Sequence, residues 1–492
     1  MKTVLLAVAL LFFCIPISSA QEQPVYLTGG HLVDVVRGEI YEDIAVVIEA
    51  DKITGLFFDF SYNDQRVPDN AMRVDVTGKY LIPGLIDLHL HTPNSVRRNF
   101  TSGNFPDSVE VDREHFYRLL LKNGVTTIRA LATDSGAPDP GAMSFSLKDK
   151  VAIDDGEMDG PNIIVSATGL IEEAPGFPRV KRTQIVNNSI EARALVRDYA
   201  YRGAEWIKFY NYGDEEMVQA VIDEAHHHGR KIWGHFAMLG AAEASRLGVD
   251  SLEHTVSLIQ DALDYETSIS MTDIGYYRLF RLWTEVNEAE VIKTLEVLAE
   301  NETPIIPTLA VQSIFVDRNK MARDNADIFR YYQPEVYEAL SAPKSEGIEK
   351  HTGGFDFAKY DPKQWGESIK VQARMMAKFV EMGGIIGAGS DFSLDIFPYA
   401  PGVSLHHELQ FFVEGGMTPL EALRTATTNA AKILGWENRF GSIEIGKQAD
   451  IVALNANPLV DIKSVADIHT IVKSGEVFPL AKLNNQLLES GQ

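Results

Sequence analysis

Between Trp206 and His254 the chain alternates short apolar runs with amphipathic helices, and no other feature constrains its fold as strongly. Trp206-Ile-Lys-Phe-Tyr210 reads as a strand. Asp214 then stands where a helix N-cap is needed, and Met217, Val218, Val221, Ile222 and Ala225 fall on one stripe of the helix that follows. Gly229 closes that helix, since a left-handed C-terminal residue suits glycine. Lys231-Ile-Trp-Gly-His235 is the next strand, Ala241 to Leu247 a short helix stopped by Gly248, and Val249-Asp-Ser-Leu-Glu-His254 a third strand. Successive βαβ units predict parallel strands joined by right-handed crossovers. Ile305-Ile-Pro-Thr-Leu309 and Ile385-Ile-Gly-Ala-Gly-Ser-Asp391 read as two later strands, with helices marked by Glu408 to Val413 and by a capping box at Thr418-Pro-Leu-Glu421. This pattern predicts an α/β fold, a (β/α)8 TIM barrel whose chemistry gathers at the C-terminal ends of its strands. The competing architecture is a doubly wound open sheet, but no glycine-rich phosphate loop follows an early strand.

Both ends of the chain are β-rich. Val25-Tyr-Leu-Thr28, Ile44 to Glu49 and Lys52 to Leu56 alternate with turns, and Gly441 to Leu454 and Ile468 to Val477 repeat the pattern near the C-terminus. The expectation is one small β-sandwich domain built from both termini, with two unrelated β appendages as the alternative. The expected divisions are 1–20 signal peptide, 21–82 first part of the sandwich, 83–435 barrel, and 436–492 second part of the sandwich and tail.

Lys2, the apolar run from Val4 to Ile15 and the small residues Ser18-Ser-Ala20 have the form of an export signal. The run is too short to span a bilayer, and no later stretch is long enough either. Cleavage after Ala20 removes Cys14, the only cysteine in the sequence. The mature chain then has no disulfide, cysteine nucleophile or thiolate ligand, so a bound metal needs nitrogen and oxygen donors. A lipid anchor on Cys14 is the other reading, although Leu11-Phe-Phe lacks the small residues expected before a lipidated cysteine. The expected location is periplasmic or extracellular. A formal charge of −24 disfavours nucleic acid and anionic membrane as partners. The expected partner is a small-molecule substrate, and a homo-oligomer is left open.

Polar residues recur at the predicted strand ends: His89 and His91 in Leu81-Ile-Pro-Gly-Leu-Ile-Asp-Leu-His-Leu-His91, then Lys208, His235, His254 and Asp391. Simple alternation in the first of these segments places Leu85, Asp87, His89 and His91 on one face and Ile86, Leu88 and Leu90 on the other. Five segments thus deliver nitrogen or oxygen donors to one rim, which reads as a metal site. The run His226-His-His228 is a decoy, because it ends an amphipathic helix where cations complement the helix dipole.

With these residues in place, the chain resembles the amidohydrolase superfamily of metal-dependent hydrolases. The likeness runs from Leu27-Thr-Gly-Gly-His-Leu-Val-Asp34 through Pro83 to His91, and on to Ala449-Asp-Ile-Val452 and Asn457-Pro-Leu459. Gly124-Val-Thr-Thr-Ile-Arg129 and Val249 to His254 make it most similar to the dipeptidase and imidazolonepropionase-like branches. Ala130 stands where many dipeptidase-like members carry an aspartate, so the subgroup and its substrate are left open. The resemblance implies that His89 and His91 bind a buried metal, His235 and His254 a more exposed one, and Lys208, carboxylated by carbon dioxide, bridges them. Asp391 would touch one metal and move the proton of a metal-activated water. Two divalent ions are implied, with zinc expected and manganese, cobalt or iron compatible. A lysine paired with a carboxylate, or acting as a plain catalytic lysine, is the other reading of Lys208.

The expected function is exported hydrolysis of amide or peptide C–N bonds in small substrates such as dipeptides or N-acyl amino acids. The competing readings are a single-metal enzyme that opens a cyclic amide or deaminates a ring, and a non-catalytic scaffold on the same fold. Tyr210, His406 and His407 are placed as residues that meet substrate or pack behind the site. The stretch from Asp261 to Lys363 is long enough to form a lid.

Overall fold

The computed structural model describes residues 23–490 except 63–66, 94, 98–107, 133–141, 168, 173–182, 211–212, 264–279, 317–329, 342–360 and 395–400. The predicted signal segment with Cys14, and much of the predicted lid, lie outside the described residues.

The N-terminal β pattern forms β1 (Val25–Asp34), β2 (Glu39–Glu49), β3 (Lys52–Phe57), β4 (Met72–Asp75) and β5 (Tyr80–Pro83). After Gly84 the chain enters the barrel with β6 (Leu85–Thr92), followed by a hairpin of β7 (Ser95–Arg97) and β8 (Ser108–Glu110). Next come β9 (Val125–Ala132), β10 (Asn162–Ser166), β11 (Gly169–Glu172), β12 (Thr183–Val186), β13 (Trp206–Phe209), β14 (Lys231–Gly234), β15 (Ser251–Glu253) and β16 (Ile305–Ile306). Near the C-terminus lie β17 (Ile451–Leu454), β18 (Ile468–Lys473) and β19 (Glu476–Pro479).

Strands β6, β9, β10, β13, β14, β15 and β16 lie side by side and parallel, as the βαβ pattern predicts. The segment after β16 that reads as a strand closes the circle: single parallel bridges join Ile386 to Ile305 and Phe392 to Leu90. Two glycines make that closure possible. A Cβ on Gly387 would come within 2.5 Å of the Leu88 side chain, and one on Gly389 within 2.8 Å of His89 Cβ. The barrel floor is filled by Ile86, Leu88, Leu131, Ile164, Trp206, Trp233 and Ile306, plugged from below by Ala430, Ile433 and Phe440. Burying such side chains contributes about 1.5–3 kcal/mol each and leaves a packed base on which polar strand ends stand.

The helices begin and end where the sequence signals place them. Asp214 accepts a hydrogen bond from the Met217 N–H at 2.8 Å, Gly248 takes a left-handed φ of 93°, and both bonds of the Thr418–Glu421 capping box form. Among the described residues no helix is long and apolar enough to cross a membrane.

The two β-rich ends form one sheet in the order β19-β18-β17-β5-β1-β2-β3, with β4 on β1. It curls on itself, because Lys52 at the start of β3 bridges to Gln448 just before β17. The enclosed core draws Leu27, Ile44 and Val46 from the N-terminal strands and Ile451, Ala453 and Val472 from the C-terminal ones. The sandwich expected from both termini is therefore a single curled sheet with its apolar residues inside.

Candidate metal centre

The alternation predicted for β6 does not survive intact. Its pairing with β9 slips between Asp87 and Leu90, an irregularity of the bulge kind. Leu88 joins Ile86 on the barrel floor, whereas Leu90 packs in the outer layer between strands and helices. The slip lets Leu88 fill the floor while His89 and His91, just above it, still face the barrel axis. Asp87 turns to the closing strand, where it accepts hydrogen bonds from the Ser390 N–H at 3.0 Å and the Ser390 hydroxyl at 2.6 Å.

Across the rim, Asp391 Oδ1 lies 3.0 Å from His91 Nε2 and 3.3 Å from His89 Nε2. His89, His91 and Asp391 form a group whose ligand atoms lie within 4.8 Å of one another. Lys208 Nζ lies 3.5 Å from His89 Nε2 and 4.6 Å from the centre of the Trp233 ring. On the opposite side His254 Nε2 and His235 Nε2 approach to 3.1 Å, and the His89 and His254 rings are 4.9 Å apart. All six predicted donors therefore share one end of the barrel.

Backbone strain marks the same positions. His254 (φ 61°), Thr308 (φ 51°), Asp391 (φ 48°) and Phe236 (φ 45°), next to His235, are all left-handed. Glu253 already points inward, so an ordinary extended residue after it would face the helices; the left-handed turn brings the His254 imidazole back to the axis.

Burial holds His89 and His235 well below the usual histidine range, and an unmodified Lys208 and the other imidazoles lower them further. His254 falls to about 3, chiefly through burial. Burial pushes Asp391 up, but its hydrogen bond to His91 and the surrounding positive charge bring its carboxyl below the ordinary value. Neutral imidazoles beside an ionised carboxylate are the protonation states that metal ligands need. Two imidazole nitrogens at 3.1 Å suit a shared cation, because neighbouring ligands with bonds of about 2.0–2.1 Å sit at comparable separations. The donor set therefore fits a divalent metal held by nitrogen and oxygen.

Sequence reading misses the layer beneath. Glu253 Oε2 accepts from His89 Nδ1 at 2.7 Å, which leaves His89 Nε2 for the rim. Glu253 Oε1 in turn accepts from Arg129 Nη2 at 2.6 Å and from the Ser251 hydroxyl at 3.0 Å. Arg129 is fully buried, donates through Nε to the Leu88 carbonyl at 2.6 Å, and lies 4.6 and 4.1 Å from the Trp206 and Trp233 ring centres. In the sequence the two residues stand only inside the phrases Gly124 to Arg129 and Val249 to His254, 124 positions apart, with nothing to show that they pair.

Tyr210 stays at the rim, its ring 4.4 Å from that of His235. His406 donates to the Asn123 carbonyl at 2.9 Å, just before β9 begins, so it sits at the opposite end of the barrel from the donors. His226 pairs with Asp250 and His228 with Glu224 on the outer helical layer, as the decoy reading expects.

Comparison with known proteins matches the model of the amidohydrolase family to residues 80–478. Ochratoxinase of Aspergillus niger is 26% identical over 513 aligned residues, covering 94% of this chain and 88% of its own. The crystal structure of A. niger ochratoxinase superposes with a TM-score of 0.63 at 22% identity, covering 93% of this chain and 96% of that one. A crystal structure of a Xaa-Pro dipeptidase with bound methionine gives 0.62 at 22% identity, covering 93% and 100%.

Proposed function

The chain belongs to the amidohydrolase family, metal-dependent hydrolases of carbon–nitrogen bonds, and from that premise we propose that it is an exported enzyme using a two-metal centre to cleave the amide bond of dipeptides or N-acyl amino acids. The observation that carries this reading is the convergence of His89, His91 and Asp391 with the His235–His254 pair above an apolar floor. The names of the ochratoxinase and Xaa-Pro dipeptidase relatives favour a small substrate over a folded protein. The apolar run from Val4 to Ile15 supports export.

His89 and His91 would hold one cation, His235 and His254 the other, with Lys208 as a carbamate between them and Asp391 on the first. Bound there, divalent cations supply a water that ionises near neutral pH and a Lewis acid for the scissile carbonyl. The chain's own residues do the rest. Asp391, kept ionised, accepts the proton of the attacking water and returns it to the departing amine, which cannot leave as an amide anion. Glu253 keeps the His89 proton on Nδ1, so that Nε2 stays a lone-pair donor. Tyr210 stands beside His235 at the rim, within reach of a substrate that enters from that side.

Purified mature protein should hold close to two divalent ions per chain, lose activity to chelators and regain it with zinc, manganese or cobalt. Elemental analysis combined with a screen of dipeptides and N-acyl amino acids tests both halves of the proposal. Full activity without metal would end the metal reading, and hydrolysis confined to cyclic amides would end the substrate reading.

Glu253→Gln keeps an acceptor for His89 but removes the charge that Arg129 neutralises. We expect roughly 10- to 100-fold weaker metal affinity, the usual cost of altering a partner behind a ligand. Competition against a chromophoric chelator measures it, and unchanged affinity would reduce Glu253 to a packing role.

A further inference from the structure

The turn after β16 departs from the usual way of starting a helix. Thr308 precedes the short helix Leu309–Gln312 at φ 51° and ψ 50°, a conformation seldom adopted by a β-branched residue. A threonine before a helix ordinarily caps it with its own hydroxyl. Here that local bond is missing, and the hydroxyl oxygen instead accepts from His254 Nδ1 at 2.5 Å.

The cap comes instead from Glu408, which lies far along the sequence in the helix Val403–Gly415. Glu408 Oε2 accepts from the Ala310 N–H at 2.6 Å, and the same carboxyl faces the N–H groups of Leu309 and Thr308. The residue is fully buried, and its other oxygen, Oε1, has no hydrogen-bond partner among the described residues. Burial pushes this carboxyl up to about 8, even though the backbone N–H groups pull it down. A buried carboxyl is costly, and it is kept here against backbone N–H groups that an apolar side chain of similar volume would leave unpaired. With an acceptor supplied from outside the turn, the Thr308 hydroxyl bonds to His254 and not to its own helix.

We propose that Glu408 is a positioning residue for the metal centre, capping the 308–310 turn so that the Thr308 hydroxyl is left to orient His254. With the ring proton held on Nδ1 by Thr308, His254 presents Nε2 toward His235 Nε2. The chain of contacts runs from Glu408 to the backbone of 308–310, to the Thr308 hydroxyl, to the imidazole. This inference rests on the reading of His254 as a metal ligand.

A double-mutant cycle on full-length mature protein tests it, read by metal affinity and by the visible spectrum of the cobalt-substituted enzyme. Glu408→Met keeps the volume but removes the acceptor, and should weaken one of the two metal ions about 10-fold or more, with an altered cobalt spectrum. Glu408→Gln retains a carbonyl acceptor and should stay within a few-fold of wild type. Thr308→Val should reproduce the Glu408→Met loss. The double variant should be no worse than Thr308→Val alone, because both changes act through one hydroxyl. Losses that add in the double variant, or a Glu408→Met protein with a lowered Tm but both metal affinities unchanged, would overturn the proposal. If Glu408→Met does not fold, an unchanged metal affinity in Thr308→Val overturns it equally. Wild-type protein that takes up no metal overturns the underlying reading of His254 instead, a result distinct from any of these.

Discussion

Asp391→Asn should fold normally and lose roughly 10²- to 10⁴-fold in turnover, the usual worth of a positioned general acid-base group. The geometry makes this a substitution of charge rather than of shape. The Asp391 N–H donates to the His89 carbonyl at 2.8 Å, and this backbone bond survives whatever the side chain is. Asparagine also tolerates the left-handed φ of 48° better than most residues. What is lost is the anionic oxygen 3.0 Å from His91 Nε2, a group placed to take a proton from water and to return it to an amine. Steady-state kcat, measured beside metal content and Tm, separates this from unfolding or metal loss. Turnover within about tenfold of wild type, with both metal ions retained, would remove Asp391 from the proton transfers.

Features that depend on neighbours along the chain were legible in the sequence. Asp214, Gly248 and the Thr418–Glu421 box act within four residues of themselves, and each does what local chemistry requires. The parallel barrel followed because two apolar strands separated by an amphipathic helix have few other ways to bury both. The candidate donors stand out because histidine, lysine and aspartate at strand ends are conspicuous, and the structure brings them to one end of the barrel.

What escaped depends on contacts between distant segments. The slip in β6 is set by how Leu88 meets Gly387 and the barrel floor, and no alternation rule can anticipate it. Arg129 and Glu253 looked like members of a family phrase, yet their pairing between two tryptophans is the support on which His89 rests. For His406 the sequence leaves substrate contact and packing equally open, and a partner 283 positions away, the Asn123 carbonyl, decides for packing.

Lys208→Ala should abolish most activity and loosen the metal pair, if the lysine is the carbamate bridge proposed for it. Lys208 is buried beside His89 Nε2 and the Trp233 ring, in a strand whose neighbour β14 leads directly into His235. A protonated amine there would repel two cations, whereas a carbamate offers one oxygen to each and supplies a negative charge. Removing such a bridge would take a ligand from both ions at once. The alternative, a plain ammonium, predicts a different response to small acids. Formate or acetate can occupy the space of a lost carbamate and should restore part of the rate in Lys208→Ala, but an anion cannot replace a cation. Carbon-13 NMR of protein prepared with labelled bicarbonate should show a carbamate signal in wild type that is missing in Lys208→Ala. A fully active, two-metal wild-type enzyme without that signal would defeat the bridge and favour a single tightly held metal with an unmodified lysine.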